Sequence, residues 1–276
     1  MRDTGADSFF GDGVAQIKVE LSGVSQQFPR PDGGIFTALE KVTIRIEAGK
    51  FISLIGPSGC GKSTIFNIVA GLQQPSDGEV IINGRESTGM VGAVGYMLQK
   101  DLLFPWRTVI DNIVLGLEVR GVARKEARNY AMPFLEKYGL GGFADAYPGT
   151  LSGGMRQRAA LLRTLLFDSD VILLDEPFGA LDAQTRSHMQ EWLLQIWQDF
   201  QKTVIFVTHD VEEAVYLSDE IYVMAARPGR VISHLNVPIE RPRPRSITLS
   251  RDFREMKSEC LNLLGHFEDE AEVQSH

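Results

Sequence analysis

The stretch FISLIGPSGCGKSTIFNIVAGL, residues 51–72, decides the fold. A short apolar run, a glycine-rich turn and a run of helical length follow one another without a break. That order predicts a buried strand, a tight loop and a helix, the opening unit of a parallel α/β sheet. The loop spacing, Gly56 then Gly61, Lys62 and Ser63, is the pattern whose backbone curls around phosphate oxygens. Gly56, Pro57, Ser58, Gly59, Cys60 and Gly61 would turn N–H groups inward, and the helix entered through Lys62, Ser63 and Thr64 adds partial positive charge at its N-terminus. The Lys62 ammonium would neutralise the terminal phosphates, and the Ser63 hydroxyl can ligate Mg²⁺.

The pattern extends outward in both directions. Upstream, QIKVELSGV and KVTIRIEAG alternate apolar and polar residues, which predicts half-buried strands of an antiparallel or mixed sheet. Downstream, QPSDGEVIING and GAVGYMLQ read as further strands. From Thr108 to about Leu140 the strand signal gives way to the helical patterns TVIDNIVLGLEVRG and RKEARNYAMPFLEKYGL, with Pro133 expected to start, end or kink a helix. The β/α alternation then resumes with VILLDE, AQTRSHMQEWLLQIWQDF, TVIFVTH, DVEEAVYLS and EIYVMA. The expected fold class is α/β with a mixed sheet core, an N-terminal antiparallel β subdomain and a helical insert at about 100–165. Residues 1–15 read as a flexible leader and 16–240 as the main domain. Residues 241–276 read as a Pro-stiffened linker (RPRPRS), a short helix and a solvated acidic tail.

Strand ends carry the candidate chemistry. VILLDEP places Asp175 and Glu176 where a buried strand emerges, the edge at which ligands collect in open α/β sheets. Asp175 can hold Mg²⁺ through its water shell, while Glu176 can accept a proton from an attacking water or orient it. His209 closes TVIFVTHD and is placed to reach the terminal phosphate. Gln99, after GYML, can offer an amide oxygen to Mg²⁺ or water. A second anion-binding pattern, TLSGGMRQRAALLR at residues 150–163, sets Ser152, Gly153 and Gly154 at a helix start, although one nucleotide does not need two cradles in one chain.

The ordered set GPSGCGKST, Gln99, LSGGMRQR, VILLDEP, GALD (Gly179–Asp182) and VTHD resembles the ATP-binding subunit of ABC transporters, from about Ile17 to about Leu235. The resemblance implies a P-loop NTPase of ABC type that uses ATP and Mg²⁺. In that family the Ser152 loop covers the γ-phosphate held by a second subunit, either the same chain or a homologue, so two composite sites form across a two-fold axis. Carried over by position, Phe28 would stack on adenine, with Phe36 as its rival. Gln99 would link nucleotide state to the helical insert, and Asp182 would act across the interface, although GALD departs from the commoner SALD. FPW after the Gln99 loop makes Pro105 and Trp106 candidates for docking on a transmembrane permease, against the alternative of a packed core Trp. LLFPWRTVIDNIVLGLEVRG and EEAVYLSDEIYVMAARPGRV further resemble bacterial importers of the nitrate, sulfonate, taurine and bicarbonate group, whose relatives also import pyrimidine vitamin precursors. That implies a peripheral subunit on the cytoplasmic face of the membrane, working indirectly with a solute-binding protein. The alternative is a soluble ABC ATPase of the DNA-repair or translation kind.

Composition weighs on these readings. The chain has 276 residues, 43% hydrophobic and 23% charged, enough to bury a core without metals or disulfides. Its 28 basic and 36 acidic residues give a net charge of -8, which disfavours a nucleic-acid partner and so the soluble alternative. Two cysteines make no disulfide framework. If Ser152 completes a neighbour's site, Ser152→Arg lets the isolated chain bind ATP while abolishing turnover; normal hydrolysis by that variant contradicts the composite site.

Overall fold

The computed structural model describes residues 16–273, with side chains as far as 265. The expected leader at 1–15 lies outside the described residues. The elements run in the order β1 (Ile17–Pro29), β2 (Ile35–Glu47), β3 (Phe51–Ile55), α1 (Lys62–Val69), β4 (Asp77–Ile82), β5 (Arg85–Glu86) and β6 (Gly95–Met97). The helical insert follows with α2 (Val109–Ile113), α3 (Leu115–Val119), α4 (Arg124–Lys137) and α5 (Gly153–Leu165). The chain then returns through β7 (Val171–Asp175), α6 (Ala183–Phe200), β8 (Thr203–Val207), α7 (Val211–Leu217), β9 (Glu220–Ala225), β10 (Arg230–Asn236) and α8 (Arg251–Val273).

Two sheets organise these elements. The first has the order β2-β1-β4-β5 and pairs antiparallel throughout. The second has the order β10-β9-β3-β8-β7-β6, parallel except for the edge pair β9–β10. Its central strands are buried on both faces, which is why FISLI, VILLD and TVIFV read as apolar runs rather than as alternations. Phe51, Ile172, Leu174, Val204 and Phe206 pack toward the core shared with the helical insert. Their neighbours Ile52, Leu54, Leu173, Ile205 and Val207 pack toward α1 and the antiparallel sheet. One period-2 pleat thus serves two cores.

The insert departs from its sequence pattern in two places. The run expected as one helix breaks at Val114, the last residue of one turn and the first of the next. There Gly116 lies so close to Phe167 that a Cβ on it would meet the ring at 2.7 Å. Asn112, fully buried, donates to the carbonyls of Phe104, Arg107 and Thr108 (3.1, 3.1 and 3.0 Å) and accepts from Phe104 N–H (2.6 Å), so α2 is bound to the loop before it. Pro133 neither starts nor ends α4 but sits inside it. Pro133 and Asn129, whose carbonyl loses its partner, both face solvent, where water can replace the missing bond.

The C-terminal segment differs most. Its helix is 23 residues long rather than short, running on into the tail. The RPRPR stretch before it is fastened to the domain rather than acting as a spacer. Arg241 pairs with Asp219 at 2.8 Å and lies over the Trp197 ring at 4.4 Å. Arg243 is 5% exposed and donates to the carbonyls of Val215, Tyr216, Ser218 and Ile239 at 2.7–3.1 Å. Burial, followed by the charge of Arg241, pushes its guanidinium down to about 10. Three of those carbonyls belong to the end of α7, where a cation also meets the negative end of the helix dipole. Arg243→Met strips these buried acceptors of their donor and is expected to cost about 2–4 kcal/mol in urea unfolding; a loss under about 0.5 kcal/mol, the level of a surface substitution, contradicts this staple.

Candidate functional site

The P-loop is a product of backbone constraints. α1 begins directly after Gly61, whose φ of 94° is left-handed and whose Cβ, if present, would lie 2.3 Å from Leu39 Cδ2. No side chain caps the helix. Among the described residues the N–H groups of Gly61, Lys62, Ser63 and Thr64 have no backbone acceptor, so the open end of the helix is a ready anion cradle. Lys62 folds back under the loop, 9% exposed, donating to the carbonyls of Gly56 (2.7 Å) and Pro57 (3.2 Å). Those neutral acceptors hold the ammonium until a stronger anion competes for it. Ser63 and Ser58 are exposed beside it.

Beyond this cradle the strand ends converge. Asp175 is the last residue of β7, and Glu176 turns off it with a φ of 44°, its N–H donating to Val207 O at 2.9 Å. A left-handed non-glycine residue is a strained position, and here it swings the Glu176 carboxylate off the strand. One oxygen of that carboxylate, Oε2, accepts from Gln99 Nε2 at 3.2 Å and lies 3.3 Å from His209 Nδ1. Burial first, and the Glu176 charge second, push the Asp175 carboxyl up, while the Tyr96 hydroxyl, donating at 3.4 Å, and the Lys62 charge oppose them. The structure therefore brings together Lys62, Asp175, Glu176, Gln99 and His209.

It does not bring Ser152 to them. Ser152 is the N-cap of α5, its Oγ accepting from Met155 N–H at 3.3 Å. Among the described residues no hydrogen bond joins Ser152, Gly153 or Gly154 to residues 56–64. The loop instead lies beside the start of α6: Cβ atoms on Gly153 and Gly154 would come within 3.9 Å of Leu181 and 3.1 Å of Thr185. Asp182 caps α6, accepting from Thr185 N–H at 3.0 Å, and its bonds to Thr185 hold its carboxyl below the usual range.

Phe28 and Phe36 stand directly opposite each other across β1 and β2. They are 37% and 40% exposed, so accessibility does not separate the two candidates for adenine. Ala38 and Leu39, which flank the P-loop, lie two and three residues beyond Phe36, about 7–10 Å along an extended strand. Trp106 is 72% exposed and stacks on Phe104 at 5.1 Å, so it is not a packed core Trp, and Pro105 beside it is also exposed.

Three residues at the site, Tyr96, Arg156 and Arg163, carry no signal in the sequence. Tyr96, in GYML, pairs with Leu173 across the parallel pair β6–β7, and its hydroxyl reaches Asp175, two residues further along that strand. Arg156 reaches from α5 to Asp101 (3.3 Å) and to its own loop at Leu151 O (2.6 Å). Arg163 donates to the carbonyls of Asp101 and Leu102 at 2.6 and 2.8 Å. The loop after Gln99 is thereby tied to the helix that Ser152 caps.

A profile of the ABC transporter family matches residues 39–179. The chain is similar to an uncharacterized ABC transporter ATP-binding protein of Methanocaldococcus jannaschii, 44% identical over 249 residues that cover 90% of this chain and 92% of the relative. It is similar at the same identity, over 89% of this chain and 95% of the relative, to an aliphatic sulfonates import ATP-binding protein of Bacillus cereus. Among solved structures it resembles a dimeric ATP-binding cassette in a post-hydrolysis state bound to ADP and Pi, with a TM-score of 0.69 and 31% identity over 80% of this chain and all of that one. The chain belongs to the ABC transporter family, as one of its ATP-binding subunits.

Proposed function

We propose that this chain is the ATP-hydrolysing subunit of a bacterial importer for nitrate, sulfonate, taurine or a related small solute. One observation carries the hydrolytic reading: Gln99 and His209 meet on a single oxygen of Glu176, at the strand end beside an open phosphate cradle. The likeness to a sulfonate-import subunit over 95% of its length supports the importer group.

The residues divide the work. The free N–H groups at the start of α1 and the Lys62 ammonium bind the β- and γ-phosphates, with Phe28 or Phe36 stacking on adenine. The donor set near the cradle is oxygen alone, from the exposed Ser63 hydroxyl, the Asp175 carboxylate and the Gln99 amide, which suits Mg²⁺, a hard cation bound by few carboxylates. Mg²⁺, when bound, neutralises charge building on the phosphates. Glu176 takes the proton of the attacking water or orients it, and His209 holds the Glu176 carboxylate and the γ-phosphate in line. The Gln99 amide oxygen would serve the cation, while its nitrogen donates to Glu176 Oε2 at 3.2 Å.

Ser152, Gly153 and Gly154 serve the γ-phosphate of a second copy or a homologous subunit, with Asp182 at the same interface. Bound ATP then favours the closed pair, and hydrolysis removes that preference. Among the described residues no helix is long and apolar enough to cross a membrane. The likeness to an import subunit supports permease subunits as the receivers of the change. Pro105 and the exposed Trp106, on the loop that Asn112 fixes and Gln99 begins, form the docking point. The subunit then sits on the cytoplasmic face of the membrane, and the solute is chosen by other chains. Glu176→Gln is expected to lower kcat about 100-fold or more with the KM for ATP within about threefold, because it removes a base and not a binding contact; a kcat within about threefold of wild type overturns the assignment of Glu176.

A further inference from the structure

His209 is flanked by two residues of a buried polar chain that leads away from the nucleotide. Thr208 before it, 2% exposed, donates through Oγ1 to Glu213 Oε2 at 2.6 Å. Asp210 after it donates its N–H to Thr208 Oγ1 at 3.0 Å and caps α7 by accepting from Glu212 and Glu213 N–H. The other Glu213 oxygen accepts from Gln190 Nε2 at 2.9 Å, and Gln190 Oε1 accepts from Arg245 Nη1 at 2.8 Å. Glu213 and Gln190 are 6% and 3% exposed, so each bond stands in for water that cannot enter. Arg186, one turn before Gln190 on α6, faces the same carboxylate at 3.8 Å and donates to Leu181 O, next to Asp182. Glu213 is thus the node where the His209 strand end, the start of α6 and the C-terminal segment meet.

The C-terminal segment grips α7 elsewhere as well. Arg243 closes its last turn, Tyr216 Oη donates back to Arg243 O at 3.0 Å, and Lys257 of α8 pairs with Glu212 at 2.9 Å. Nothing in this arrangement is needed to bind ATP. All of it bears on α7, whose first residue lies two positions after His209.

We propose that residues 241–260 are a positioning element for His209: Arg245, Gln190 and Glu213 form a relay that ends on Thr208 and orients the histidine against Glu176, so that the rate of hydrolysis depends on how this segment is seated. The proposal rests on the assignment of His209 to ATP hydrolysis. In it Arg245, Gln190 and Glu213 are positioning residues, acting through His209 without touching nucleotide. Anything that lifts the segment, such as contact with a permease or another subunit, then slows turnover without releasing ATP.

The test is steady-state hydrolysis of MgATP by the full chain. Arg245 is the outer end of the relay and 38% exposed, so replacing it leaves the fold standing. Arg245→Met is expected to lower kcat about fivefold with the KM for ATP within about twofold, and Arg245→Lys, which can still donate to Gln190, recovers most of the loss. Because the two act in series, Arg245→Met combined with Glu213→Gln is expected to be no slower than Glu213→Gln alone. A wild-type kcat in Arg245→Met overturns the proposal, as does a loss that Lys does not restore or one that adds to that of Glu213→Gln. Failure of the underlying assignment looks different: His209→Ala then hydrolyses ATP at the wild-type rate, whatever Arg245→Met does.

Discussion

The parallel register of three central strands is the constraint on which the site depends. Leu54 and Asp175 both pair with Val207, so the P-loop, the two carboxylates and the histidine leave the sheet at one level. A slip of one residue in either pair would turn a side chain to the opposite face and move it about 3.3 Å along the strand, further than the reach of the contacts to Glu176. What holds the register is burial on both faces: a slipped strand would have to exchange residues between two packed cores at once. The strained backbone of Glu176, at a φ of 44°, is held against that rigid frame.

On one side the frame shares a buried apolar core with the helical insert, and polar contacts fasten the loop between them. Arg156 and Arg163 tie the loop after Gln99 to α5, whose first turn presents Ser152. A displacement of that loop by a docked partner would reach the Gln99 amide and the Ser152 cap together. On the other side, α7 links the His209 strand end to the C-terminal segment through Glu213 and Arg243. Catalytic geometry is thus shared by three regions that are far apart in the chain.

Much of this is legible in the sequence. The strands of the central sheet announced themselves as apolar runs, and Gly56 to Thr64 could be placed because loop chemistry and spacing are local. The α6 run from Ala183 to Phe200 is readable for the same reason. What stayed hidden depends on partners distant in sequence. Arg243 looked like a solvated linker residue because nothing near it reveals that carbonyls 25 to 28 residues away await a donor. Tyr96 could be matched to Asp175 only through strand register. Pro133 allows a helix start, end or kink by its local chemistry, and solvent on its face lets it sit inside α4. Phe28 and Phe36 become neighbours only through the pairing of β1 with β2.

Ser152 stands apart from the P-loop of its own chain. In the proposed mechanism a complete site requires a second subunit, and ATP becomes part of the interface it stabilises. The direct measurement is sedimentation equilibrium of Glu176→Gln, which holds ATP without consuming it, with and without saturating MgATP. Monomers that become dimers when ATP is added, and that stay monomeric when Ser152→Arg is introduced alongside, are the predicted result. A chain that remains monomeric at saturating ATP, or one that still pairs in response to ATP without Ser152, would contradict the composite site.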